Sequence, residues 1–371
     1  MDTQINIAPG RAFDVSLLDP ATPIETQNGI NPEQHSTGLG VWTLALLGCF
    51  AVLMSMAIAV QIGVADVHIS DVVRIIAGKL GFDVEPMGRM RESVIWDLRV
   101  PRVLAAALVG AALAVSGAVL QAMTGNALAD PYLLGISGGA STGAVFVVIL
   151  GLGGGALLST GAFLGAMLVL LLLLMLLRKG GGTPLKLVLT GVIIGQFFSA
   201  ITSLVVMAAG DAESTRGIMY WLLGSLTTAR WTPVLMVGAL TGAGFIVVWA
   251  HSHVLDAMSF GNDTAKTMGV NISRARVVLL IACALMTAIA VAMVGAIGFV
   301  GLIVPHAVRM MVGAMHTKLI PFSALLGAIL LIWTDVLART ALAPQEIPVG
   351  VFTALIGVPL FLLLMRRRGD L

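Results

Sequence analysis

A chain of 371 residues that is 58% hydrophobic and 11% charged, with a mean hydropathy of +1.00, cannot be a soluble domain, where roughly a quarter of residues carry charge. Its formal net charge of +2 leaves no electrostatic footprint for nucleic acid. Apolar stretches of about 20 residues recur without strand-like alternation, which makes it an all-α integral membrane protein and excludes a β-barrel.

Residues 1–40 hold prolines, polar residues and five acids against the single Arg11, and predict a disordered tail. They lack a basic segment followed by a short apolar stretch and a cleavage site, so a removed signal peptide is not expected. The first span covers 41–63. Mixed charges over 64–96 place that segment outside the bilayer, with an amphipathic helix over 70–80 whose apolar face is Val72, Val73, Ile75, Ile76 and Leu80. A second span follows Arg99-Val-Pro-Arg102 and runs to about 123. The stretch TGNALADPYLLG then reads as a short loop before a third span over 133–150. The fourth covers 160–177 and the fifth 185–208. A polar connection with Asp211, Glu213, Arg216 and Arg230 leads to the sixth, 233–250.

The run HSHVLDAMSFGNDTAKTMGVNISRAR, 251–276, is the longest polar break in the second half. Between Asn262, a good N-cap, and Gly269, a good stop, lies about a turn and a half of helix, with Ala265 and Met268 on one side. So short a helix does not hold itself folded in water. It is expected to be held by a partner protein, unless it is only a tolerated loop. Spans seven to ten follow over 277–296, 297–312, 320–337 and 348–365. Ten spans return both termini to one side. Eleven basic residues flank the spans on that side against nine on the other, and the triplet Arg366-Arg367-Arg368 closes the chain. Both termini are therefore expected in the cytoplasm, together with 251–276.

The chemistry the chain lacks is informative. No acid interrupts the middle of a predicted span, which argues against an ion-coupled secondary transporter, although backbone carbonyls alone can bind sodium. No GxxxxGK[ST] occurs, so any ATP hydrolysis belongs to another polypeptide. Gly135-Ile136-Ser137-Gly138-Gly139 matches GxSxG and the GxSG of rhomboid-type proteases, with His306 as a conceivable base. The strand–turn–helix setting is missing, and close helix packing is the commoner use of such glycines. Cys49, Cys283 and the 19 scattered methionines read as packing, without a metal cluster. Gln196, Ser199, Ser203 and Met207 share one face of the fifth span, either lining a path for a large solute or packing on a neighbour. Arg99, Arg102 and Arg339 each stand beside a span, where arginines ordinarily anchor at the interface. His306 and Arg309 are expected to be structural.

Several stretches together resemble one family: RVPRVLAAALVGAALAVSGAVLQAMTGNALADPYLLGISGGA, YWLLGSL, GNDTAKTMGVN, VGAIGFVGLIVPHAVRM, TDVLART and EIPVGVFTALIGVPLF. From about residue 41 to the end the chain is similar to the permease subunits of type II ABC importers, the FecCD-like family of vitamin B12, siderophore and haem permeases. The resemblance implies ten transmembrane helices per chain and a homodimer with the path on its axis. It implies two cytoplasmic ATPase subunits, which hold the ATP and Mg, and a periplasmic binding protein. The permease itself carries no cofactor and lies in the bacterial inner membrane.

The segment with Asn262, Asp263, Thr264, Ala265, Lys266, Met268, Gly269 and Val270 is similar to the family's ATPase-coupling helix. Arg99, Arg102 and Arg339 match positions that offer arginines to glutamates of the binding protein. Asn126 and Leu128, with Thr183, Pro184 and Leu185, fall where the family narrows its cytoplasmic gate. Ala127 stands where the gate loop usually has proline, and Pro184 and Leu185 where small hydroxyl residues are found. The expected cargo is an iron chelate, haem or a ferric siderophore, with cobalamin as the alternative.

Overall fold

The computed structural model describes residues 38–63, 67–84, 87–152, 155–178, 183–208, 212–269 and 271–368. The predicted tail over 1–40 lies, but for its last residues, outside them, and so does Val270. All regular structure described is helical. In order the helices are α1 (Gly38–Gln61), α2 (Ile69–Lys79), α3 (Arg89–Ser93), α4 (Val100–Thr124), α5 (Ile136–Ile149), α6 (Gly155–Arg178), α7 (Pro184–Ala208) and α8 (Ala212–Leu222). There follow α9 (Trp231–Ala250), α10 (Ser252–Ser259), α11 (Asn262–Thr267), α12 (Ile272–Val294), α13 (Val300–Val312), α14 (His316–Thr340) and α15 (Val349–Arg368). A π-turn, Val94–Arg99, makes α3 and α4 one continuous rod, Arg89–Thr124. The contact pattern divides the chain after Thr43, and the packing below concerns Leu44–Leu371.

Among the described residues seven helices are long and apolar enough to cross a membrane. Three shorter apolar helices, Ile136–Ile149, Val300–Val312 and Val349–Leu363, fall on the third, eighth and tenth predicted spans. The shortness of α5 and α13 has a cause. Gly135, at φ 77°, lies against the backbone of Gly191 and Gly195. Those glycines are seven and eleven residues into α7, about 10 and 16 Å from its first residue at 1.5 Å per residue. So α5 starts well inside the bundle, and the stretch 125–135, expected as a short loop, descends to meet it. Likewise α13 starts after the non-helical residues 295–299, beside α4, where Gly301 meets Gly117.

Irregular backbone at such depth persists only where its polar groups find partners inside protein. Here the Tyr132 hydroxyl accepts the Ile297 N–H at 2.7 Å and donates to the Ile297 carbonyl at 2.9 Å. The Ser225 N–H donates to the Val294 carbonyl at 2.7 Å.

The rod containing α4 is the centre of the bundle, in contact with α9, α12, α13 and α14. Its alanines and glycines permit this. Gly110 lies against the Gly327 carbonyl, and any side chain there would collide with backbone. Between α5 and α6 the arrangement is reciprocal: Gly139 and Gly143 face Gly165 and Gly161, two small-residue ridges at four-residue spacing that bring the backbones together.

One expectation about a surface segment is corrected. In α2 the buried residues are Asp71, Val72 and Ile75, while Val73 and Leu80 are 60% and 72% exposed. Asp71 turns the helix: its carboxylate accepts the His68 N–H at 3.1 Å and pairs with Arg91 at 3.0 Å, so that edge faces inward. The polar connection before the sixth span contains α8, whose Tyr220 hydroxyl donates to the Glu346 carbonyl at 3.1 Å.

Candidate functional site

The polar run after α9 folds as two short helices. In α10, Leu255, Ala257 and Met258 are buried, and the helix rests on α4 and α14. Asp256 fixes it there. Its Oδ1 accepts the His316 backbone N–H at 2.8 Å and the His316 ring nitrogen at 2.7 Å, supplying an acceptor at the first turn of α14. The chain then turns at Gly261, φ 103°, into α11, and stops at Gly269, φ 81°. Ala265 is fully buried, whereas Met268 is 65% exposed, so these two residues, expected on one side, separate. Met268 lies beyond the last helical turn, where the chain has already left the helix face. Lys266 and Gly269 are also exposed. Asn262, Asp263 and Thr264 belong to α11, but their side chains, like all of Val270, lie outside the described residues. Exposed Phe260, Met311 and Met315 add apolar surface in the neighbouring turns.

The two predicted gate segments sit at the C-terminal end of α4 and the N-terminal end of α7. Asn126 Oδ1 accepts the Leu128 N–H at 2.9 Å, and the Asn126 carbonyl accepts the Ala129 N–H at 3.1 Å. This Asx turn closes the loop that a proline at Ala127 would otherwise have stiffened. Leu128 remains 44% exposed. At the second segment the Thr183 carbonyl accepts from Leu187 at 3.1 Å and its hydroxyl from the Lys186 N–H at 3.4 Å, an N-cap followed by Pro184 at the first helical position. Leu185 projects outward, 76% exposed. Between the segments, Asp130 Oδ1 accepts the Tyr132 N–H at 2.9 Å.

Along α7 the buried positions are Leu187, Gly191, Ile194, Phe198 and Thr202. Thr202 and the Phe198 carbonyl meet the Thr142 hydroxyl of α5, each at 2.8 Å. Gln196, Ser199, Ser203 and Met207 lie on the other side and are all exposed. Thus, among the described residues, the predicted polar stripe is left uncovered by the rest of the chain.

The three arginines form one buried charge cluster. Arg99 donates through Nη1 to the Val60 and Gln61 carbonyls, each at 3.0 Å. Arg339 donates to the Ala59 and Ile62 carbonyls at 2.7 and 2.8 Å. Together they satisfy the carbonyls left open at the C-terminal end of α1, the negative end of its dipole. Arg102 grips Asp335 through Nε and Nη2 at 3.0 and 2.9 Å, and Glu346 through Nη1 at 3.0 Å. Asp335, 1% exposed, also stands 3.5 Å from Arg339 Nε, an ion pair without a hydrogen bond.

Asp335 and Glu346 were missed in the sequence. The available signal was the i,i+4 spacing of Asp335 and Arg339 inside an apolar helix, where a charge requires a partner. The glycines around Ser137 serve the α5–α6 and α5–α7 contacts, and His306 is buried in α13. Among the described residues no group of three or more His, Cys, Asp or Glu could hold a metal ion.

Residues 50–367 match the model of the FecCD transport family. The uncharacterized ABC transporter permease protein YvrB of Bacillus subtilis is 38% identical over 335 residues, 87% of this chain and 93% of that one. The vitamin B12 import system permease protein BtuC of Vibrio cholerae is 40% identical, covering 76% of this chain and 85% of its own. Other relatives are named for Fe(3+)-citrate, iron(3+)-hydroxamate and hemin. A solved structure described as the inward-facing conformation of an ABC transporter of metal-chelate type superposes with a TM-score of 0.76 at 31% identity, covering 88% of this chain and 99% of that one.

Proposed function

Because this chain belongs to the FecCD transport family, as a multi-pass membrane permease of an ABC importer, we propose that it carries an iron chelate, haem or a ferric siderophore, from periplasm to cytoplasm. The observation that supports this reading most is the polar, exposed stripe of α7: Gln196, Ser199, Ser203 and Met207 offer dispersed, weak contacts to a bulky solute. A second copy of the chain completes the path on the other side. The cargo is handed over by a periplasmic binding protein, and the work is done by two cytoplasmic ATPases that hold ATP and Mg. They act through α10 and α11. Closure of the ATPases moves α11, and the Asp256–His316 contact passes that motion to the start of α14. Asn126, Leu128, Thr183, Pro184 and Leu185 form the inner constriction. Both termini are cytoplasmic, in a bacterial inner membrane.

Docking of the binding protein falls to Arg102, whose partner Glu346 is 35% exposed, while Arg99 and Arg339 hold the surrounding helix ends in place. Such pairing sets register and encounter rate more than affinity.

Cobalamin is the second reading, favoured by the BtuC relative. The deciding experiment measures ATPase stimulation of the complex in lipid nanodiscs by binding protein loaded with haem, a ferric siderophore or cobalamin. Stimulation by an iron chelate is expected; stimulation by cobalamin alone overturns the cargo. Gradient-driven uptake by the chain without ATPases, or proteolysis lost on Ser137→Ala, overturns the importer mechanism itself.

A further inference from the structure

We propose that a groove between α6, α9 and α12 binds an acyl chain of a membrane phospholipid, with Arg230 facing its phosphate. The groove encloses about 510 Å³ and is lined by Ser159, Phe163, Pro233, Met236, Ala239 and Ile289 among others. This lies within the roughly 300–1,000 Å³ of pockets that bury a small ligand. Its walls are the first turns of α6 and α9 and the last turns of α12, so it occupies one end of three membrane-crossing helices. Along α9 it reaches from Thr232 to Leu240, about 12 Å, close to the ~15 Å of hydrocarbon in one leaflet.

The level of the headgroup is set by neighbouring residues. Trp231 packs on Trp96 with ring centroids 4.7 Å apart and the rings tilted by 38°, and its indole N–H donates to the Trp96 carbonyl at 2.8 Å. Indoles so placed belong at the membrane–water boundary. Arg230, next in the chain and exposed, is pinned there by hydrogen bonds from Nη1 to the Ala229 and Thr227 carbonyls at 2.8 and 3.3 Å. A cation fixed at that level attracts a lipid phosphate. Further along the helices the hydroxyls of Ser159 and Thr232 give way to Phe163, Met236 and Ile289, the polarity sequence of a glycerol ester above an acyl chain.

The test uses the full-length chain in mild detergent, titrated with dioleoyl phosphatidylglycerol or with dioleoylglycerol, bound lipid being counted by native mass spectrometry. Wild type is expected to retain both. Ala239→Trp should lose both, and Ala239→Leu, a milder filling, serves where the larger residue does not elute monodisperse. Arg230→Glu should weaken phosphatidylglycerol retention about fivefold or more and leave dioleoylglycerol unchanged. Unaltered lipid retention in both Ala239 variants overturns the site. So does a change of oligomeric state in place of lipid loss, which would make a second copy the occupant. Equal sensitivity of both lipids to Arg230→Glu overturns the phosphate contact. None of these readouts depends on which cargo is carried.

Discussion

Asp335 shows how much one side chain supports. It is 1% exposed and stands between Arg102 and Arg339. Truncating it leaves buried guanidinium charge uncompensated, which costs about 3–5 kcal/mol. Asp335→Ala should therefore lower the thermal midpoint in detergent sharply, whereas Glu346→Gln, at the partly exposed edge, should cost about 1 kcal/mol or less. Equal shifts would show that the cluster does not divide into an inner and an outer half.

At the scale of elements, the proposed ATPase contact rests on α11. Among its described side chains Ala265 is fully buried, whereas Lys266 and the following Met268 are exposed. Met268→Asp places a charge in the predicted contact. A hot-spot loss of about 2 kcal/mol, roughly thirtyfold in affinity, is expected in ATPase pull-down, with the permease's own thermal midpoint unmoved. Retained capture with full transport would count against α11 as the lever. The half-length helices α5 and α13 are the other lesson at this scale. Each begins within the bundle because glycine contacts admit backbone there, and Tyr132 joins the two irregular stretches that precede them.

For the whole molecule, the packing of α7 divides a buried face from an exposed one. Thr202 and Phe198 bind it to α5, and Ser199 and Ser203 look away from the bundle. Ser199→Trp should leave folding and basal ATPase of the complex intact and cut cargo uptake by at least an order of magnitude, the size of effect ascribed to loss of a positioned path. Uptake at the wild-type rate would move the path elsewhere. The same division explains why the central α4 is rich in alanine and glycine while α6 and α7 carry exposed leucines: the first contacts protein on every side, and the others present a face away from the bundle.

Much of this was written in the order of residues. Apolar runs of about 20 located the long helices to within a few positions, because a membrane span is selected by composition alone. The short helix between Asn262 and Gly269 was legible from its stop at Gly269, although the helix begins at Asn262 itself and Gly261 takes the cap position, and the shared face of Gln196, Ser199, Ser203 and Met207 followed from the helical repeat. Hydropathy was blind to the half-length helices, since an apolar segment buried in protein at membrane depth has the same composition as one that spans. Chain order was equally blind to the charge cluster. Arg102 and Asp335 are 233 residues apart, and only folding turns two arginines toward the end of α1 instead of toward water. Periodicity tells which residues share a face; what that face meets is settled when the other helices arrive.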